Sequence, residues 1–297
     1  MTWLAPLGVL GAAATLIVLA ASLAPRHGRL ALALAVAVPL VLPWLAGPTP
    51  LVRGVFALVF FVLTLRVVDL VRLREPWSAR RRVAHALSFI DTRLLRREPP
   101  RLDLRALVAA LGWGGLAVLA FTFVRELAPR CAGNPLWLRL GGGLVFAYAA
   151  IDAGYAVVRA GYRALGFVTP PLHVWPLASL SVAELWGMRW ARPVSHWIRK
   201  TCFHPLARRR RPVLGVLLGF VVSGFGHAYP VLVALGPSMA AMMLGYFAVQ
   251  GLVVVAEPRL GVDKWPRALR RTWTIVLMVA TSPLFVEPCL RVLLSVG

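Results

Sequence analysis

His227 lies inside the apolar run Val213–Leu235, which is long enough to cross a bilayer. An ionisable side chain in hydrocarbon costs at least about 2 kcal/mol and marks a functional or paired position. A span entering near Pro212 carries His227 about 22 Å along its axis at a rise of about 1.5 Å per residue. Ser223 stands one helical turn earlier on the same face, and Tyr229 follows within a turn. Gly224 and Gly226 remove side chains from beside the imidazole, so a neighbouring helix or a substrate can come close. A neutral imidazole so placed can take a proton from a hydroxyl, as a general base does. It can equally be a structural group bonded to another helix, and residue type and spacing leave both roles open.

Other chemistries fit less well. The 6 histidines are scattered along the chain, whereas a metal centre needs several ligands to converge, so no metal is expected. Ser223 and His227 share one helix without a second deep histidine, which argues against an intramembrane serine protease. No P-loop, G-x-G-x-x-G or G-x-S-x-G stretch occurs. The 3 cysteines have no C-x-x-C spacing and suggest no disulfide framework. Asp152, flanked by Tyr148 and Tyr155, lies well inside an apolar block; the expected role is a buried partner for Arg159, and the alternative a polar relay.

Such residues need a scaffold, and composition supplies one. The chain has 297 residues, is 59% hydrophobic and has a mean hydropathy of +0.75. Its apolar residues come in blocks near 2–24, 30–46, 54–71, 106–124, 137–158, 212–234, 238–256 and 272–295. Each approaches the roughly 20 residues that a spanning helix needs. The blocks are continuous rather than alternating, so the expected fold class is all-α: a polytopic transmembrane bundle of about eight spans in a single domain, not a barrel.

The net charge of +22 would suit nucleic acid, but its distribution does not. Alternate loops hold 2, 10, 10 and 5 of the 33 Lys and Arg residues, leaving 6 elsewhere. That bias is the positive-inside rule, and it predicts basic loops in the cytoplasm and the N-terminus outside. No nucleic-acid partner is expected. The first block lacks a basic leader and reads as a retained span rather than a signal peptide. Arginine far outnumbers lysine, which points to a high-GC bacterial genome and hence a bacterial cytoplasmic membrane.

Two basic loops carry further signals. In residues 72–105, Val83, Leu87, Ile90 and Leu94 recur at helical spacing beside Arg82, Arg93 and Arg97. That pattern predicts an amphipathic helix on the cytoplasmic membrane surface, with His85 solvated. Arg66 and Asp69, three apart at the end of the third block, are expected to pair. The loop 159–211 is too long for a plain connector. It carries Trp175, Trp186, Trp190 and Trp197 together with 10 Lys and Arg residues, which suits helices half-embedded in the headgroup layer.

Two stretches in order carry a resemblance: "SVAELWGMRWARPVSHWIRKTCFHPL" (181–206) and "VVSGFGHAY" (221–229). Together they resemble the membrane-bound O-acyltransferases, and among them the wax synthases. Ser181, Glu184, Trp186, Gly187, Arg189, Trp190, Ser223, Gly224 and His227 match the wax-synthase pattern. Pro193, Val194, Trp197, Arg199, Pro205 and Tyr229 echo the related diacylglycerol and sterol acyltransferases. The resemblance covers about 70 residues, near 175–245. Two positions depart from it: Ala191 stands where the family has asparagine, and Ala228 where it has glutamate.

The resemblance implies an acyl-CoA-dependent O-acyltransferase that esterifies a lipid hydroxyl, a long-chain fatty alcohol first, giving a wax ester. The alternative is a non-catalytic relative or a lipid transporter. The partners implied are acyl-CoA, a lipid alcohol or other hydroxyl acceptor, and membrane lipids. Acyl-CoA is the donor substrate, and no cofactor is implied. In that scheme His227 is the general base and Ser223 orients it. Trp186, Arg189, Trp190, Arg192, Trp197, Arg199 and Tyr229 are the substrate-binding candidates.

Overall fold

Apolar blocks in hydrocarbon can satisfy their backbone only internally, and this chain does so as helix. The computed structural model describes residues 4–73, 75–131 and 135–295. Among them the helices are α1 (Leu4–Leu23), α2 (Gly28–Val41), α3 (Pro50–Val71), α4 (Ala79–Ala86), α5 (Leu104–Thr122), α6 (Pro135–Ala164), α7 (Val182–Glu184), α8 (Arg192–Ile198), α9 (His204–Arg208), α10 (Pro212–Leu235), α11 (Pro237–Ala256), α12 (Arg267–Thr281) and α13 (Pro283–Leu294). Two two-residue strands, β1 (Arg96–Arg97) and β2 (Phe167–Val168), pair antiparallel. Seven helical segments are long and apolar enough to span a membrane, and α12 with α13, bent by 44° at their junction, can make an eighth. The bend falls at Pro283, whose ring cannot continue the hydrogen-bond ladder. The chain is an integral, multi-pass helical membrane protein.

Contacts divide the chain into two compact units. The first comprises Met1–Arg93, Phe225–Ala241 and Arg291–Gly297. Its core is built largely from small residues of α1 and α2: Ala13, Ala20, Ala21, Ala31 and Ala35 are all buried, against Phe60 and Val67 of α3. Small side chains let helix backbones approach, which is how packing holds helices together in lipid. Gly226 of α10 extends the same device, because a Cβ there would sit 2.6 Å from the Phe61 ring.

Helix α2 carries one proline, and a second follows it closely. Pro39 brings no N–H to the carbonyl of Ala35, and Pro43 brings none to that of Pro39. Both carbonyls are capped from outside the helix. The Thr64 hydroxyl donates to the Ala35 carbonyl at 2.6 Å, and the Tyr229 hydroxyl to the Pro39 carbonyl at 2.6 Å. Tyr229→Phe is expected to destabilise the protein by about 1–3 kcal/mol, the cost of an orphaned buried acceptor. Thermal melting of the purified variant checks this; an unshifted midpoint would show that the carbonyl finds another donor.

The loop after α3 corrects two expectations. The helix predicted through residue 94 ends at Ala86; Leu87 is exposed, and the chain turns back through Ser88–Asp91. His85 is not solvated but fully buried. Its Nδ1 lies 2.8 Å from the Thr92 hydroxyl, its Nε2 3.5 Å from Asp69, and its ring meets Trp77 edge-on. The expected Arg66–Asp69 pair forms at 3.3 Å, and Arg93 joins Asp69 at 2.9 Å. Arg93 also meets Asp91 at 2.5 Å, so two guanidiniums and two carboxylates close a largely buried, charge-balanced network. Burial raises the Asp91 carboxyl, but the Arg93 side chain and backbone N–H outweigh that and hold it below its usual value.

The second unit comprises Leu94–Gly224 and Met242–Leu290. Here α5 packs along α6, while Leu104, Val108, Leu111, Val118 and Leu119 stay exposed, as a lipid-facing side requires. Gly143 of α6 admits α13: a Cβ there would lie 2.5 Å from Val286. Arg139 of α6 meets Glu287 at 3.1 Å.

Candidate functional site

The first signature stretch folds as a platform held by its own polar residues. Ser181 caps α7, its hydroxyl accepting from the Glu184 N–H at 2.9 Å. Glu184 in turn accepts from the Leu180 N–H at 2.8 Å. This is the capping-box logic of a Ser followed three residues later by a Glu, with the return bond made one residue before the cap. Arg189 closes the loop, donating to Glu184 at 2.6 Å and to the Val174 carbonyl at 3.3 Å. Partial burial pushes the Glu184 carboxyl up, but the Leu180 N–H and the Arg189 guanidinium more than offset it and hold it below its ordinary value.

Glu257, just beyond the end of α11, clamps the platform. Its carboxylate accepts from the N–H groups of Val182 (2.7 Å) and Ala183 (3.0 Å) and from the Trp273 indole (3.1 Å). The first N–H groups of a helix are orphan donors, and an anion satisfies them best. Nothing in the local sequence signals this clamp, because Glu257 lies some 75 residues from the two N–H groups it holds.

Trp186 and Trp190 are brought together, with ring centroids 6.3 Å apart. Trp186 also packs on Phe220 of α10 and on Tyr246 and Phe247 of α11. Its indole donates to Gln250 at 3.0 Å, and Gln250 donates to Thr281 at 2.8 Å. Trp190 lies against His173, centroids 4.1 Å apart, and His173 stacks on Tyr148. Trp197 is buried, while Arg192 and Arg199 are exposed.

His173 was not among the residues singled out from sequence. Its side chain is 4% exposed. Nδ1 accepts the Ala191 N–H at 3.1 Å, so in the neutral ring Nε2 carries the proton. That Nε2 lies 3.8 Å from an oxygen of Asp152. Asp152 therefore does not pair with Arg159 as expected; Arg159 pairs with Asp103 at 3.0 Å. Burial lowers the His173 pKa to about 4. A folded value below the ordinary one near 6.5 means that the unfolded chain binds the proton first. Stability is therefore full above about pH 6.5 and falls as pH drops toward 4. A loss of Trp190 packing on acidification, read by tryptophan fluorescence and flattened in His173→Asn, is the expected result.

The backbone at Ala191 is left-handed, with φ 41° and ψ 51°. An alanine there costs roughly 1 kcal/mol, whereas asparagine and glycine adopt this conformation readily. Ala191→Asn and Ala191→Gly are accordingly expected to raise the melting midpoint. A drop in both would mean that the methyl group has packing worth more than the strain.

The second signature stretch lies on α10. This helix is unbroken through 24 residues despite Pro230. Gly224 seats it against α11, where a Cβ would fall 3.2 Å from that of Phe247. Ser223 and His227 are both half-buried, one turn apart along the helix. Ser223 belongs to the second unit, with Trp186, Arg189 and Trp190; His227 and Tyr229 belong to the first. No protein-family model matches this chain, and no curated protein matches it. Among the described residues, no three His, Cys, Asp or Glu side chains gather as a metal site would require.

The platform's chemistry is therefore divided. Ser181, Glu184, Arg189 and Trp186 have hydrogen-bond partners that organise the fold, and Tyr229 caps a helix carbonyl. Arg192 and Arg199 are exposed, and His227 is half-buried on the apolar α10.

Proposed function

We propose that this protein is an acyl-CoA-dependent O-acyltransferase that esterifies a lipid hydroxyl, with a long-chain fatty alcohol as first acceptor and a wax ester as product. The observation that carries the reading is His227, half-buried on an unbroken apolar helix of a multi-pass bundle. The likeness of residues 181–206 and 221–229 to the wax synthases supports it. In this scheme the imidazole takes the acceptor's hydroxyl proton while the oxygen attacks the thioester carbonyl. The carbon–sulfur bond then breaks, the ester leaves, and the proton passes to the CoA thiolate. His227 ends neutral, and no acyl group is attached to the protein. Ser223 orients the ring.

Arg192 and Arg199 on the basic side supply cations for the phosphates of CoA. The same reading places the basic loops in the cytoplasm of a bacterium and the N-terminus outside. An aromatic wall of Trp186 and Trp190 flanks the exposed arginines' segment, and the acyl chain enters between spans.

A second reading, a non-catalytic relative or a lipid transporter, has two observations in its favour. Ser181, Glu184, Arg189 and Tyr229 all have structural partners, so folding alone explains their presence. Ala191 and Ala228 point the same way. Incubation of the detergent-solubilised protein with labelled palmitoyl-CoA and a panel of acceptors decides between them: a fatty alcohol, a diacylglycerol, a sterol and a polar alcohol. Ester with release of free CoA supports the enzyme, and the panel names the acceptor. No ester from any acceptor transfers the case to the second reading.

A further inference from the structure

A cavity of about 430 Å³ lies in the second unit, beside α6 and the β2–α7 loop. That volume is within the range of small-molecule sites. Its lining includes the Asp152 Oδ2 and the His173 Nε2, both buried and both without a hydrogen-bond partner. Unpartnered buried polar atoms are rare and need an explanation. At 3.8 Å the two atoms are too far apart to bond each other. One oxygen set beside the gap can lie within hydrogen-bond reach of both atoms, accepting from Nε2–H and donating to the carboxyl oxygen. A hydroxyl does both at once; an ester, a ketone or a fully ionised phosphate oxygen cannot donate.

The rest of the lining narrows the ligand further. Three guanidiniums, Arg101, Arg159 and Arg163, face three carboxyl groups, Glu98, Asp103 and Asp152. Two of these arginines are already engaged: Arg159 with Asp103 at 3.0 Å, and Arg163 with Glu98 at 2.9 Å. A balanced lining offers no net attraction to an anion, yet it supplies donors and acceptors together. Trp113, Tyr155 and Phe167 add aromatic surface, against which C–H groups pack.

We propose that this cavity binds a neutral polyhydroxylated compound, a polyol or a sugar headgroup, with one hydroxyl bridging His173 and Asp152. The neutral His173, held with its proton on Nε2 by the Ala191 N–H, is set to donate throughout the physiological range. His227 does not line this cavity, and the proposal does not depend on the acyl-transfer reading.

The test uses the full chain in a detergent without a sugar headgroup and in buffer free of glycerol. Glucose, myo-inositol and glycerol are titrated, with glucose 6-phosphate as the charged control. Binding is read by the melting midpoint and by tryptophan fluorescence. A saturable response to at least one neutral polyol is expected, with glucose 6-phosphate no tighter than glucose. Asp152→Asn removes the carboxylate, and His173→Asn keeps an acceptor for Ala191 while deleting the Nε2–H. Each is expected to weaken binding by about tenfold or more, as loss of a hydrogen bond in a buried site does. Either variant suffices if it elutes and melts as a folded protein. No saturable response to any neutral polyol would mean that water alone fills the gap and would overturn the proposal. So would a preference for the phosphate ester, or wild-type affinity in a folded variant.

Discussion

His227→Ala is expected to lower ester formation by a factor of about 10² to 10⁴, the range that a positioned general base contributes. The substitution is suited to the test because it removes the imidazole with little cost to the helix. Alanine is the strongest helix former, and α10 is apolar around this position. The side chain is only half-buried, so the cavity left behind is smaller than one from a fully buried residue. Loss of a base touches the chemical step more than binding. The turnover rate should therefore fall while the concentration of acyl-CoA giving half-maximal rate changes little. Wild-type turnover in a folded His227→Ala protein would remove the histidine from the mechanism and leave the acyltransferase reading without its centre.

Glu257→Ala is expected to destabilise the protein by about 3–5 kcal/mol, because three donors lose their acceptor together and each buried orphan costs about 1–3 kcal/mol. The donors are the N–H groups of Val182 and Ala183 and the Trp273 indole. Glu257 is 4% exposed, so water has little access to replace it. Glu257→Gln should lose less, since its amide oxygen still accepts while its NH₂ group faces a donor. Amide hydrogen exchange adds a local readout: protection over 181–190 should fall before that of α10 does. A Glu257→Ala protein melting like the wild type would show that the platform does not depend on this clamp.

The spans were legible because their physics is local. A run of apolar residues reports its environment without reference to any other part of the chain, and even the bend in the last span follows from Pro283. The capping of α7 was legible in principle too, since Ser181 and Glu184 stand at capping-box spacing. What escaped the sequence depends on distant partners. His85 lies in a basic, polar stretch, and nothing nearby shows that Asp69 and Thr92 enclose it. The predicted helix through Leu94 failed for a different, local reason. Asp91 accepts from the Arg93 N–H and side chain, a local turn that outcompetes helical periodicity. His173 sits in a Pro-rich loop, and only the fold brings Asp152 and Trp190 to it. Of the residues named for function, Trp186 and Trp190 do meet, whereas Arg189 and Tyr229 are committed to partners that the spacing did not reveal.

The two carbonyls that prolines free in α2 carry a consequence for biogenesis. As the chain leaves the ribosome, α2 reaches the bilayer with both acceptors unpaired. Thr64 arrives with the very next span and covers Ala35. Tyr229 is synthesised 190 residues after Pro39, when most of the protein is already inserted. Until then the second span is an unfinished element that must borrow a donor from water, lipid headgroups or the insertion machinery. The order in which hydroxyls emerge thus makes one early helix wait for a late one, and ties the quality of the first half to completion of the second.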